Sequence, residues 1–560
     1  MKKQYFITIC IGILTLLSLH SVAQTTVYLE QNWTDKEREY FYFADQGSRL
    51  VPYHFFLHLE QAHSQQLFRH DENMLRLGLI PSKKSQHNPD ALPIGLTRNR
   101  DKMGFTCAAC HTQQIQYQEK MTMIDGGQTF FDLQKFLAEM TLSMKVTLED
   151  AEKFVRFQQA VLGDEASGEQ QVLLKQTLTK EYEKRVAYSI ENHTDIVYGY
   201  ARLDAFGAIL NRALSATYVK NNTNPPNAPT SYPYLWDTPQ HDYVEWNGSQ
   251  SNTNIGSFAR NIGQVIGVFG DVQPNTKNWL GLIDGGYPSS IQTKALRKLE
   301  KTIGKLHSPR WPEYFPKVNP SLVHQGRELY KQYCISCHVN INRTDPKRMV
   351  QVRMTTLDRI GTDPLMAQNA ILTTGKTGNL KGKPKFYVAG DPLPDVAPAI
   401  DIANNLMVGV VKNNPLQAYL AGRDAHDFGH GDEIHPPKYV NGEVIATGEE
   451  VSKKALLAYK ARPLNGIWTS APYLHNGSIP NLYELLLPGD ARVKTFYLGS
   501  LIFDPTVVGF EMKSVKDSFL FDTRLPGNSN AGHEYGTGYD NLPALTDAQR
   551  WALIEYMKTL

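Results

Sequence analysis

Two Cys-x-x-Cys-His pentapeptides constrain this chain more than any other feature: Cys107-Ala108-Ala109-Cys110-His111 and Cys334-Ile335-Ser336-Cys337-His338. With 5 cysteines and 17 histidines in 560 residues, one such pentapeptide arises by chance with odds of about one in a thousand. Two thiols about one turn apart can add across porphyrin vinyl groups as thioethers, and the next residue places an imidazole under the iron. Both positions are therefore expected to hold covalently bound haem c. Cys107, Cys110, Cys334 and Cys337 would supply the sulfurs, with His111 and His338 as proximal ligands. Disulfides, a redox dithiol or a zinc site also use paired cysteines, but none explains a histidine directly after both pairs.

The N-terminus agrees with haem attachment outside the cytoplasm. Lys2 and Lys3 precede an apolar stretch from Tyr5 to Leu19, followed by the small-residue site Ser21-Val22-Ala23. Residues 1–23 read as a signal peptide cleaved before Gln24, which predicts a periplasmic or secreted protein. The stretch is short for a retained membrane anchor, and Cys10 behind Ile9 does not look like a lipid acceptor. No stable membrane insertion is expected. Of the 58 basic residues, cleavage removes the two lysines and leaves a balance with the 56 acidic ones. A neutral mature chain gives no electrostatic case for nucleic acid.

The second motif follows Ser321–Tyr333, whose apolar spacing (Leu322, Gly326, Leu329, Tyr333) predicts a helix running into Cys334. The capping box Thr546-Asp547-Ala548-Gln549 starts a last helix carrying Leu553, Ile554, Met557 and Leu560. A cytochrome c-like haem 2 domain is thus expected over 321–560, with loops at Thr374–Lys385 and Phe428–Tyr439. The proline-punctuated 308–320 reads as a linker, and 24–307 as the haem 1 domain. There the first motif follows loop-like Met103–Thr106, helices are expected at Asp132–Leu142 and Leu148–Leu162, and Pro225–Pro239 should be irregular.

Five segments carry a resemblance: Gly104–His111, Tyr234–Pro239, Ala259–Gly263, Ala461–Ser478 and Gly527–His533. On these residues the chain resembles the bacterial di-haem cytochrome c peroxidase superfamily, and within it the larger rubber oxygenase-like branch. The resemblance implies a mainly α fold of two cytochrome c-like haem domains with long irregular loops, the catalytic haem being the N-terminal one. It points to His533 as the partner of His338 on haem 2, with His475 as a rival that lines the haem edge or meets a propionate. Some relatives hold an interdomain calcium, although no loop here has a clear ligand pattern for it.

Axial ligation decides function, because an iron with two strong protein ligands carries electrons whereas one with an open face binds peroxide or oxygen. No histidine lies between His111 and His193, and nearby Met121 and Met123 read as core residues. Haem 1 is therefore expected to be five-coordinate or weakly ligated when resting, with Trp246, Phe258 and Arg260 as candidate catalytic residues around its open face. An enzyme of this kind would act on peroxide, or on dioxygen with an apolar alkene. A small redox protein or quinol-linked partner would exchange electrons through haem 2. The alternative is a non-catalytic periplasmic electron carrier, which needs both irons six-coordinate.

Overall fold

The computed structural model describes residues 25–274, 285–445, 453–538 and 541–560. The expected signal peptide, 1–23, lies outside the described residues. Among them no helix is long and apolar enough to cross a membrane.

The fold is not mainly α: 38% of it is helix and 16% strand, the strands gathered into several small sheets. Most strands are two to six residues long, too short for period-two alternation to stand out in sequence. Met103–Thr106 shows the consequence. Instead of a loop, Lys102–Phe105 pairs antiparallel with Leu96–Asn99. Thr106 then caps a single 3-10 turn over Cys107–Ala109, its hydroxyl accepting from Ala108 N at 3.3 Å. After His111 the chain enters a second sheet, in which Thr112–Tyr117 pairs antiparallel with Lys120–Asp125. The first motif thus turns between two sheets.

Three helices follow. Helix α1 (Leu133–Glu149) is capped by Asp132, α2 (Ala151–Leu162) by Asp150, and α3 (Gly168–Glu191) by a Ser167/Gln170 capping box. α1 runs past the expected end at Leu142 because the next helix breaker is Asp150, whose carboxylate restarts the chain by accepting from Lys153 N. Helices α4 (Ala205–Ser215), α5 (Gly256–Gly267) and α6 (Ala399–Lys412) pack on one another. They draw both halves of the sequence into one apolar cluster. The proline-rich segment belongs to that cluster too: Phe315 sits 5.6 Å from Trp468 and stacks on Phe503 at 5.6 Å, ring centre to ring centre.

The second motif has the helical frame its spacing predicts. α7 (Pro320–Tyr333) buries Gly326, Tyr330 and Tyr333, and crosses the terminal helix α8 (Asp547–Met557), which begins with the Thr546/Gln549 capping box. Gly326 is required at the crossing, since a Cβ there would lie 2.0 Å from the Ala552 carbonyl oxygen. Gly326→Val should therefore destabilise the protein by about 2–3 kcal/mol through overpacking, measured as a lowered urea midpoint of the haem-loaded protein.

Candidate haem sites

Each motif opens onto its own cavity. Counting all space between protein atoms out to bulk solvent, the first is about 1660 Å³ and the second about 1460 Å³. Cys107, Cys110 and His111 line the first; Cys334, Cys337, His338, His475 and His533 line the second. Six residues line both: Ser231, Tyr232, Pro233, Trp246, Lys460 and Arg462. One wall of the Pro225–Pro239 segment, an indole and two cations is all that separates them.

In the second cavity the geometry is explicit. His338 Nδ1 lies 2.6 Å from the Arg462 carbonyl oxygen, to which it can donate its proton, leaving Nε2 free as a metal ligand. The His533 ring faces His338 with centroids 6.1 Å apart. Two imidazoles bonded to one ion at about 2 Å have centroids roughly 6 Å apart, so the pair fits a six-coordinate iron. His533 adopts φ 51°, a left-handed conformation unusual for a bulky residue. Arg492 holds its loop there by donating to the Asn530 and Gly532 carbonyls at 2.5 and 2.8 Å, while His533 N donates to Ile360 O at 2.8 Å. Burial, with His338 and Arg492 nearby, pushes the His533 pKa down to about 3. His475 turns elsewhere, stacking on Tyr459 at 4.0 Å and meeting Trp246 edge-on at 6.4 Å.

The first cavity is asymmetric. His111 is the one histidine among its described lining residues, and burial lowers its pKa to about 4 against the opposing Pro233 carbonyl. Gln46 accepts a hydrogen bond from Cys107 Sγ at 3.1 Å. Met121 and Met123 do not line the cavity, and Met123 packs in the core. Met366 is the methionine that does line it. Of the three residues expected around the open face, Trp246 and Arg260 line the cavity and Phe258 does not. Phe258 faces Asp424, Ala425 and Phe428 in a small separate cavity. On a 3.6-residue helix, positions two apart point roughly opposite ways, so with Arg260 turned inward Phe258 points into the core.

Both cavities hold positive charge with open hydrogen-bond capacity. Arg260 pairs with Glu300 at 2.6 Å, with side chains only 4% and 8% exposed, yet its Nε has no partner. Arg462 lies over the Tyr234 ring at 3.6 Å and donates to Tyr234 O at 2.8 Å, again with Nε unpartnered. Burial and the adjacent Arg462 hold the Lys460 pKa well below its ordinary value. Buried donors left open this way are costly unless an acceptor reaches them. Haem carries two propionates, and the residues present fit it. The motif spacing did not reveal Gln46, Lys460 and Arg462, although Arg462 stands inside the Ala461–Ser478 segment that carries the resemblance.

These features define a c-type cytochrome, a class with covalently bound haem c. Residues 458–497, which contain Tyr459, Lys460, Arg462 and His475, match the RoxA-like, cytochrome c-like family. The chain belongs to the family of the uncharacterized protein y4iJ of Sinorhizobium fredii (strain NBRC 101917 / NGR234), being 30% identical over 604 aligned positions that cover 95% of this chain and 93% of that protein. It is also similar to the uncharacterized protein y4iM of the same organism, at 26% identity over 62% of this chain and 70% of that one.

Two outcomes follow. Arg260→Gln should cost about 3–5 kcal/mol of stability by leaving Glu300 buried and unpaired, with Glu300→Gln in the same chain recovering part of it, read by urea unfolding. Because burial lowers the His533 and His111 pKa values to about 3 and about 4, both rings keep a free lone pair as pH falls through the ordinary histidine range near 6.5. The low-spin optical signature of the second haem, held between His338 and His533, should persist from pH 7 to about 5; its loss near 6.5 would show a solvated His533 ring.

Proposed function

We propose that this chain is an exported di-haem oxidoreductase. One haem would be bound at Cys107/Cys110/His111 and the other at Cys334/Cys337/His338, with dioxygen-dependent chemistry on an apolar alkene at the first. The observation that carries the reading is the asymmetry between the cavities: His338 has a facing imidazole in His533, and His111 has no histidine opposite it among the described residues.

A haem with one protein ligand supplies an iron position open to a small oxidant, and a bis-imidazole haem supplies one-electron exchange. The chain's own groups divide accordingly. The Arg462 carbonyl orients His338, Arg492 fixes the His533 loop, and together they hold the second site rigid. Phe206, Ile209, Leu296 and Leu299 make the first cavity apolar, which excludes water and suits a hydrocarbon substrate. Lys460 and Arg462 on the shared wall, and Arg260 within the first cavity, would hold propionates. Trp246, lining both cavities, provides an aromatic bridge for electrons between the sites. A small redox protein or quinol-linked donor would deliver them through the second site. The RoxA-like match at 458–497 supports the oxygenase branch of this reading over the peroxidase one.

Adding carbon monoxide to the fully reduced protein should change the optical spectrum of one haem of the two. No change at either haem would sink the enzyme reading and leave an electron carrier. Turnover with dioxygen and a polyisoprene or carotenoid, and none with peroxide and a reduced donor, is the expected chemical outcome.

A further inference from the structure

The wall of the first cavity is unevenly closed. Where α4 meets α5 the closure is tight, since a Cβ at Gly267 would lie 2.4 Å from Ile209 Cγ1. Deeper in, Arg260 and Glu300 are joined by a buried ion pair at 2.6 Å. On another side α5 faces the turn Glu245–Ser249, which links the antiparallel strands Tyr243–Val244 and Gln250–Ser251. The contact across that side is a solvent-exposed hydrogen bond from Gln264 Nε2 to Glu245 Oε1 at 3.4 Å. Gln264 is also the one exposed residue among the described residues that line this cavity.

Both edges of that side are built to stay put. Asn261, Gln264, Val265 and Val268 all line the cavity at helical spacing, so one face of α5 runs from the interior out to Gln264. The turn is tied down at Trp246, whose Nε1 donates to Ser231 O at 3.2 Å and whose carbonyl accepts from Lys460 N at 2.8 Å. Glu245 stands at φ 65°, a left-handed conformation that costs a residue of its size and that clusters where a side chain has to be placed for function. A long, exposed hydrogen bond is worth little, because water satisfies both partners when it opens. The buried ion pair and the Ile209 packing have no such substitute. This edge therefore parts at the least cost.

We propose that Gln264 and Glu245 form the entrance to the first haem site, and that their contact sets the cross-section of what passes. Phe206, Leu296 and Leu299 line the interior, so the molecule admitted is a slender, uncharged hydrocarbon chain. A rival route crosses the layer of Leu133, Leu203 and Ala208, which also lines a neighbouring groove. There Leu133 and Ala208 are buried, and apolar packing would have to part. The entrance rests on the reading that the first iron has an open position, and adds the way a substrate reaches it.

The test is the association rate of n-butyl isocyanide with the reduced, haem-loaded protein, followed at the first haem beside that of carbon monoxide. Gln264→Ala should raise the isocyanide rate about fivefold, the worth of one modest hydrogen bond. Glu245→Asn, which tolerates the left-handed backbone but is too short to reach Gln264, should do the same. Gln264→Trp should slow the isocyanide, and carbon monoxide, being smaller, should respond less to all three. Leu203→Ala should leave both rates as in wild type. Unchanged isocyanide rates in the two Gln264 variants, or acceleration by Leu203→Ala in their place, overturn this entrance. Uptake of neither ligand by either haem would sink the open-iron reading, and the entrance is then decided by iodohexane soaked into crystals of the haem-loaded protein. Iodine between Gln264 and Trp246 supports it; iodine beside Leu203 alone, or none in the cavity, overturns it.

Discussion

The contact between the His338 ring and the Arg462 carbonyl is the joint on which the rest of the architecture turns. It sets which nitrogen of the proximal imidazole is free, and it does so from a residue whose side chain serves both cavities. Arg462 reaches back to Tyr234 O at 2.8 Å, so the main chain of the C-terminal segment and the irregular segment before Trp236 are tied through one side chain. Strand Ala458–Ala461, which leads into it, is held antiparallel to Arg353–Thr356. Alternation along that strand turns Lys460, and Arg462 beyond it, toward the shared wall. The two motifs are far apart in sequence, yet their sites are built on common residues.

The polar interior supports the same conclusion from energetics. Arg202, Asp237, Arg260, Arg348 and Glu300 are all nearly inaccessible. Some of this charge is internally balanced, as in the 2.6 Å pair between Arg348 and Asp237. The donors of Arg260 and Arg462 that lack partners cluster around the two cavities, where a fold made only of protein would gain from apolar side chains. Such an interior makes sense when the fold closes around a charged group it does not itself encode.

Much of this could be read from the residues, and the failures have physical causes. The motifs, the helix before Cys334 and the final capping box are local signals, and all three appear as spacing implies. Strands two to six residues long have no local signature, which is why the expectation of a mainly α fold failed. Trp246 and Arg260 line the first cavity and Phe258 does not, a difference of helical phase that proximity in sequence does not carry. His533 lies too far from His338 in sequence for spacing to pair them, so only resemblance suggested it.

The cysteine sulfurs carry a consequence for how the molecule is made. Burial pushes the thiols of Cys107 and Cys110 up to about 11 and about 12, and that of Cys334 up to about 12. At neutral pH such groups are almost wholly protonated and poor nucleophiles, and they face spaces already walled by the finished core. In the closed fold these sulfurs are therefore a poor setting for thioether formation, and their packing among core residues holds a group once attached.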